Sequence, residues 1–377
     1  MVTMNMLRTS PSTLDVVVVG GGPAGLATAI AARRNGLRVL VADGATPPID
    51  KACGEGLMPD GVEALRQLGV TLPARDVQPF CGIRFVNGSQ IAEATFPQGA
   101  AYGIRRTVLH QILVDHAVKA GVSLRWQAPV TGLHSEGVFI AGEPVRARWI
   151  VGADGAASRV RRWAGLDAHR RKSVRFAARR HYRIAPWTDF MELHWGLRSQ
   201  IYVTAVGTEE VCVAMITDTH KRRLDDVLPR FADLSARLAG AEFSSTERGS
   251  VTISRKLRRV CRDRVVLVGD ASAGIDAITG EGLCLAFRQV KVLVECLASG
   301  DLARYQTEHR KLVRRPSLMA RLMLFVGNHD SLRRRTMRVF QTAPRSFAGM
   351  LAMHVGAGSP CDYISNGISL GWQLLKA

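Results

Sequence analysis

The residues best able to do chemistry in this chain begin with Gly20-Gly21-Gly22-Pro23-Ala24-Gly25. They fit G-x-G-x-x-G, and each glycine in that spacing has a mechanical task. Gly20 makes a tight turn, Gly22 lets backbone N–H groups approach a pyrophosphate, and Gly25 lets a helix pack closely on a strand. Asp43, about twenty residues on, is placed to accept a hydrogen bond from a ribose 2′-hydroxyl. Together these types at these spacings bind a dinucleotide. Two more Gly/Asp turns follow, around Asp154-Gly155 and Gly269-Asp270. A Lys51-Ala-Cys53-Gly54-Glu55-Gly56 segment adds a thiol and backbone able to lie flat against a ring.

Elements must exist to hold these residues in place. Residues 15–19 are a β-branched apolar run, expected as a buried parallel strand. A helix is expected over 26–35, closed by Gly36, and a second strand over 38–41, ending near Asp43. Apolar runs also lead into the other two turns, and 283–297 has helical composition after Gly280-Glu281-Gly282. Arg106-x-x-Leu109 heads a further expected helix that ends at Gly121. Turns of this kind belong outside the carboxyl ends of a parallel sheet. Strand, glycines, helix, strand and acid in this order make the dinucleotide reading specific, whereas the glycines alone would not.

With the two downstream turns, the pattern resembles the flavoprotein family of para-hydroxybenzoate hydroxylase and geranylgeranyl reductase, and so implies FAD. By that resemblance Gly269 and Asp270 meet the FAD ribitol, and Gly280, Glu281 and Gly282 lie beside the isoalloxazine. Asp154 belongs to a turn in the cofactor environment, Arg161 fixes that loop, and Arg106 reaches the phosphates or ribitol. Lys51, Cys53 and Gly54 match a segment that the reductase branch carries close to the flavin. Cys53 is thus a candidate catalytic thiol, with a buried small residue as the competing account. Pro23 and Ala24 complete the cofactor set.

Between the flavin motifs the periodicity changes. Two alternating runs within 83–96 flank Asn87-Gly88, a hairpin signal. Runs at 191–195, 200–206 and 211–216 read as antiparallel strands, expected to roof the flavin edge. Tyr182, His194, Trp195 and Tyr202 are the candidate substrate-pocket residues, with core packing as the alternative account. The reductase branch carries a Tyr/Trp-x-Phe-Pro signature here, which Tyr202-Val-Thr-Ala205 lacks. The expected fold is α/β. A Rossmann-like FAD-binding domain with a parallel sheet is assigned to 1–80, 97–168 and 255–300. An inserted, mostly antiparallel substrate sheet takes 81–96 and 169–254, and C-terminal helices take 301–377. The function expected is an FAD-dependent oxidoreductase. An NAD(P)H-dependent monooxygenase acting on an aromatic or quinone-like molecule comes first. A geranylgeranyl-reductase-like ene reductase is the alternative, and a non-catalytic flavin module the outsider.

Composition sets the outer bounds. The chain has 377 residues, 47% hydrophobic and 22% charged, which excludes collagen-like and wholly disordered classes. The net charge of +19 is dispersed arginine without a zinc-finger, RNP or helix-turn-helix pattern, so no nucleic acid is expected. Seven cysteines form no C-x-x-C pair, so neither a disulfide framework nor a metal is expected. These features predict a cytoplasmic protein with a loose tail at 1–14 and no spanning helix. Over 304–345 basic residues flank the apolar stretch 318–326, with Glu308 and Asp330 the only acids. This pattern fits peripheral docking on an anionic inner-membrane surface, where a hydrophobic substrate would be met.

Overall fold

The computed structural model describes residues 14–358, Gly367 and Gly371. The tail expected over 1–14 lies outside the described residues except for Leu14, as does most of the chain beyond 358. Two sheets face one another across a cavity. The first orders its strands Cys261–Arg262, Val265–Leu267, Glu143–Gly152, Leu14–Val19, Val39–Ala42 and Ser123–Arg125. All but the first pair run parallel. Val16, Val17 and Val18 are fully buried, which is why this run is apolar without alternation. Helices Pro23–Arg34, Arg106–Lys119 and Gly282–Ser299 pack beside it.

The second sheet has nine strands, in the order Ala273–Gly274, Arg248–Leu257, His169–Arg183, Glu210–Thr217, Ser199–Gly207, Phe190–Trp195, Gly82–Asn87 and Gln90–Thr95, with Glu242–Phe243 at the side. It is antiparallel except where Phe190–Trp195 meets Gly82–Asn87. The Asn87-Gly88 hairpin forms as expected, with Asn87 opposite Gln90. Alternation along these strands gives two unlike faces. Ile201, Val203, Val211, Val213 and Met215 turn outward onto Leu224, Leu234 and Leu238. Tyr202, Cys212, Ala214 and Ile216 turn inward to the main core.

The α/β architecture, the parallel and antiparallel sheets and the C-terminal helices agree with the sequence reading. Helices Leu302–Gly327, Asp330–Thr342 and Pro344–His354 form the last layer. Sequence reading did not give a small sheet of Gly56–Leu57, Ala101–Gly103 and Gln78–Phe80. Its strands are too short to carry a period.

Candidate active site

The carboxyl ends of Leu14–Val19, Val39–Ala42 and Glu143–Gly152 open into a cavity of about 780 Å³. The inner face of the nine-stranded sheet closes its other side. Gly20, Gly22, Pro23, Ala24, Asp43, Lys51, Cys53, Gly54, Arg106, Asp154, Gly269, Asp270, Gly280 and Gly282 all line it. Folding therefore gathers motifs that are more than 250 residues apart in the chain (Gly20 and Gly282) onto one surface. Gly25 does not touch the cavity. A Cβ there would sit 1.9 Å from the Gly20 carbonyl oxygen, so the helix can approach the turn only with glycine.

The glycine turn is braced from behind by side chains. Gly21 N–H donates to Asp43 Oδ2 at 2.7 Å, and Ala45 N–H donates to Asp43 Oδ1 at 2.8 Å. His110 Nε2 meets the Gly21 carbonyl at 2.8 Å, and burial lowers the pKa of this histidine. The neutral imidazole then donates from Nε2. Asp154 accepts from Ser158 Oγ, Arg159 N–H and Val160 N–H, so its carboxylate caps the helix Arg159–Trp163. Arg161 is buried and bonds Ala156 O, Ala271 O and Asp167, tying the second turn to the third.

The remaining charged residues divide. Lys51 Nζ and Asp270 Oδ2 pair at 3.2 Å with both side chains nearly half exposed, a contact worth about 0–1 kcal/mol. Arg106 begins its helix, donates its backbone N–H to Glu55 at 2.9 Å, and keeps a buried Nε without a hydrogen-bond partner among the described residues. Glu281 turns away from the cavity. Its buried carboxylate faces Arg288, Arg315 and His354 at 3.5–3.9 Å, so it holds the helix start in place behind the wall.

Strand parity sets two of the four pocket candidates, Tyr182 and His194, on the outward face, and position along the strand removes a third. Tyr202 alone lines the cavity, with its hydroxyl donated to the Ile278 carbonyl and its pKa pushed up by burial. Tyr182 sits in the outward core against Phe243. His194 points outward and pairs with Glu192 at 3.0 Å. Trp195 packs edge-on against Phe85, in the main core but away from the cavity. A correct strand thus yields a wrong neighbour when its face is unknown. The inward positions that sequence reading passed over are Ala177, Arg179, Met191, Ala214 and Ile216. Stepping by twos from Tyr202 would find Thr204, whose hydroxyl donates to the Gly54 carbonyl at 2.7 Å.

These residues suit an FAD. Gly22, Gly54 and Gly282 each face open space, with no atom within 4 Å of where a Cβ would stand. The orphaned Arg106 Nε is a donor for a phosphate or hydroxyl oxygen. Two helix N-termini, at Gly22 and Glu281, add partial positive charge where a pyrophosphate or reduced flavin would lie.

Comparison with known proteins agrees. A family model described as an FAD binding domain matches residues 13–301. A digeranylgeranylglycerophospholipid reductase of Methanosarcina acetivorans is 28% identical over 324 residues, covering 78% of each chain. A menaquinone reductase of Mycobacterium tuberculosis is 30% identical over 318 residues, covering 77% of this chain and 78% of the relative. A flavoprotein/dehydrogenase structure from Cytophaga hutchinsonii superposes with a TM-score of 0.78 at 20% identity, covering 91% of this chain and 93% of that one.

Proposed function

Because the chain belongs to the FAD binding domain family and is an FAD-dependent oxidoreductase, we propose that it saturates an alkene in a prenylated or similarly apolar molecule. The observation that carries this reading is the chemistry of the cavity wall opposite the glycine turns. Ala177, Met191, Ala214 and Ile216 offer only carbon and sulfur there, and the Tyr202 hydroxyl is already committed to Ile278. This apolar patch suits a hydrocarbon chain, with Arg179, Ser250, Thr252 and Asp276 as polar residues elsewhere on the lining. The names of the two reductase relatives, each matched over more than three quarters of its length, point the same way. The hydroxylation that sequence reading placed first remains the second reading. It is favoured by the absent Tyr/Trp-x-Phe-Pro signature, and a shared fold hosts both reactions.

In this reading Gly20, Gly22, Pro23, Ala24, Asp43, Lys51, Gly54, Arg106, Asp154, Gly269, Asp270, Gly280 and Gly282 hold the FAD, with Gly25 and Glu281 supporting from behind. FAD bound there supplies two-electron chemistry, with NAD(P)H as the proposed donor. Residues 1–80, 97–168 and 255–300 serve the cofactor, while 81–96 and 169–254 serve the substrate. The chain's own contribution is to orient the alkene beside Cys53–Gly54 and to keep water out.

We further propose peripheral association with an anionic membrane. Leu318, Leu322 and Phe325 are 66%, 42% and 57% exposed on one face of Leu302–Gly327, beside exposed Arg314 and Arg321. None of the described helices is long and apolar enough to cross a membrane. Turnover of a prenylated quinone or lipid by dithionite-reduced protein under strict anaerobiosis tests the reaction. Saturated product without oxygen is expected, and absolute O₂ dependence with ¹⁸O in the product would replace alkene reduction by hydroxylation.

A further inference from the structure

Beneath the Cys53–Gly54 segment, and reaching the cavity lining at Glu55 and Arg179, lies a buried polar cluster to which the proposed reaction assigns no part. Glu55 and His181 are 2% and 1% exposed, and His181 Nε2 lies 2.6 Å from Glu55 Oε2. On its other side His181 Nδ1 meets Arg105 at 3.2 Å, Arg179 at 3.2 Å and Ser245 Oγ at 2.7 Å. A guanidinium can only donate, so Nδ1 is the acceptor and the ring proton sits on Nε2, donated to Glu55. The second Glu55 oxygen accepts the Arg106 backbone N–H, and Arg179 Nε stands 3.7 Å from it. Arg179 is itself paired with Asp50, and Arg105 with Glu210.

Glu55 occupies the left-handed region, with φ of 57°. That conformation is unfavourable for a residue with a Cβ and persists only where surroundings impose it. Here its side-chain partners impose it. The turn also sets the peptides before it: the Gly54 carbonyl faces inward to Thr204 Oγ1, and the Cys53 carbonyl faces Cys212 Sγ at 3.6 Å. Glu55 N–H in turn approaches Cys53 Sγ at 3.4 Å. We infer that Glu55 and His181 are positioning residues: their buried bond locks the 53–56 turn so that Cys53 and Gly54 are presented to the cavity. Glu55, His181 and Cys212 also lie within 4.8 Å of one another, a spacing open to a metal. Two adjacent guanidinium groups disfavour a cation there.

The inference rests on reading the cavity as the flavin and substrate site, yet its test needs no turnover. The measurement is the alkylation rate of Cys53 by iodoacetamide, followed peptide by peptide, with Cys261 in the same protein as the internal reference. Glu55→Gln and His181→Leu should each change the Cys53 rate about tenfold, the population shift that loss of an interaction of about 1.4 kcal/mol produces. His181→Gln keeps an N–H donor toward Glu55 and should restore a rate within about threefold of the parent. Should Glu55→Gln fail to fold, the His181→Leu and His181→Gln pair decides alone. Unchanged Cys53 reactivity in His181→Leu overturns the inference. So does His181→Gln behaving like His181→Leu, because glutamine preserves the clamp but cannot pass a proton. Stoichiometric zinc uptake lost in Glu55→Gln would also overturn it, in favour of a metal site.

Discussion

Asp43 shows how one carboxylate carries two tasks. Its oxygens already brace Gly21 and Ala45, which fixes the side chain at the end of Val39–Ala42 and leaves lone pairs free toward the cavity. Asp43→Ala should therefore weaken FAD binding by about 1–3 kcal/mol, roughly five- to 150-fold in Kd. Fluorescence titration of apoprotein measures this, and an unchanged Kd would remove Asp43 from the cofactor set. Tyr202 offers the opposite case, a candidate whose hydroxyl is occupied by a structural bond to Ile278. Tyr202→Phe should cost roughly 1 kcal/mol of stability and leave turnover near the parent's. A loss on the order of a hundredfold or more in kcat would instead make that hydroxyl a proton donor. Which residues were readable follows from how local their constraint is. Gly20, Gly22 and Gly25 are dictated by a turn within six residues, so their spacing announces them. Glu55, His181 and Arg179 meet one another, and His110 meets Gly21, only after folding, and in the sequence they look like ordinary polar positions.

The elements that carry these residues depend on close approaches and on dry polar contacts. Helix Pro23–Arg34 has its inner residues almost wholly buried, so it cannot retreat from the turn it touches. Gly25→Ala would place a methyl 1.9 Å from Gly20 O, and overpacking there should destabilise by about 3 kcal/mol. Urea unfolding checks this, and a midpoint equal to the parent's would show that the helix can shift. The third turn is held differently. Gly269 N–H donates to Gln289 Oε1, and Ser272 Oγ lies 2.9 Å from His309 Nε2. Burial pushes the pKa of His309 down to about 4, from an ordinary 6.5. A histidine so depressed binds fewer protons when folded than when unfolded. Stability should hence fall as pH drops below 6.5, by up to about 3 kcal/mol near pH 4. Thermal melts between pH 7 and 4 should lose this slope in His309→Gln, and an unaltered slope would place the titration elsewhere. The strands at 83–96, 191–195, 200–206 and 211–216 were legible because apolar runs and the Asn87-Gly88 turn are local, whereas the charge-rich His169–Arg183 and Arg248–Leu257 were not read. The facing of the legible strands could not be read. His194 belongs to a correctly placed strand, yet alternation anchors to a face only once the opposite sheet is known, and Tyr182 lies on His169–Arg183, a strand that sequence reading did not give.

At the scale of the whole molecule, the proposed reaction raises the question of how the cavity would meet a substrate that water does not carry. Helix Leu302–Gly327 gives a physical answer, because it has two apolar sides. Met319, Ala320, Met323 and Val326 face the protein, and Val313 packs with Ala273 and Leu285 next to Ile275, which lines the cavity. Leu318, Leu322 and Phe325 face out, so the helix that carries the exposed apolar stripe also packs behind Ile275 of the cavity wall. Partial burial of those three side chains in a lipid interface would contribute a few kcal/mol, at roughly 1.5–3 kcal/mol for each fully buried. Arg314 and Arg321 would add about 1 kcal/mol each near anionic headgroups, a term that salt screens. The two contributions can therefore be separated. Sedimentation with vesicles of phosphatidylglycerol and phosphatidylcholine should show binding at low salt that weakens, without vanishing, at high salt. Replacing Leu318, Leu322 and Phe325 together by serine should abolish the salt-resistant part, while Arg314→Gln with Arg321→Gln should remove most of the salt dependence. Failure of the parent protein to bind at low salt would return this face to an ordinary solvated helix surface, and the substrate would then have to arrive by another route.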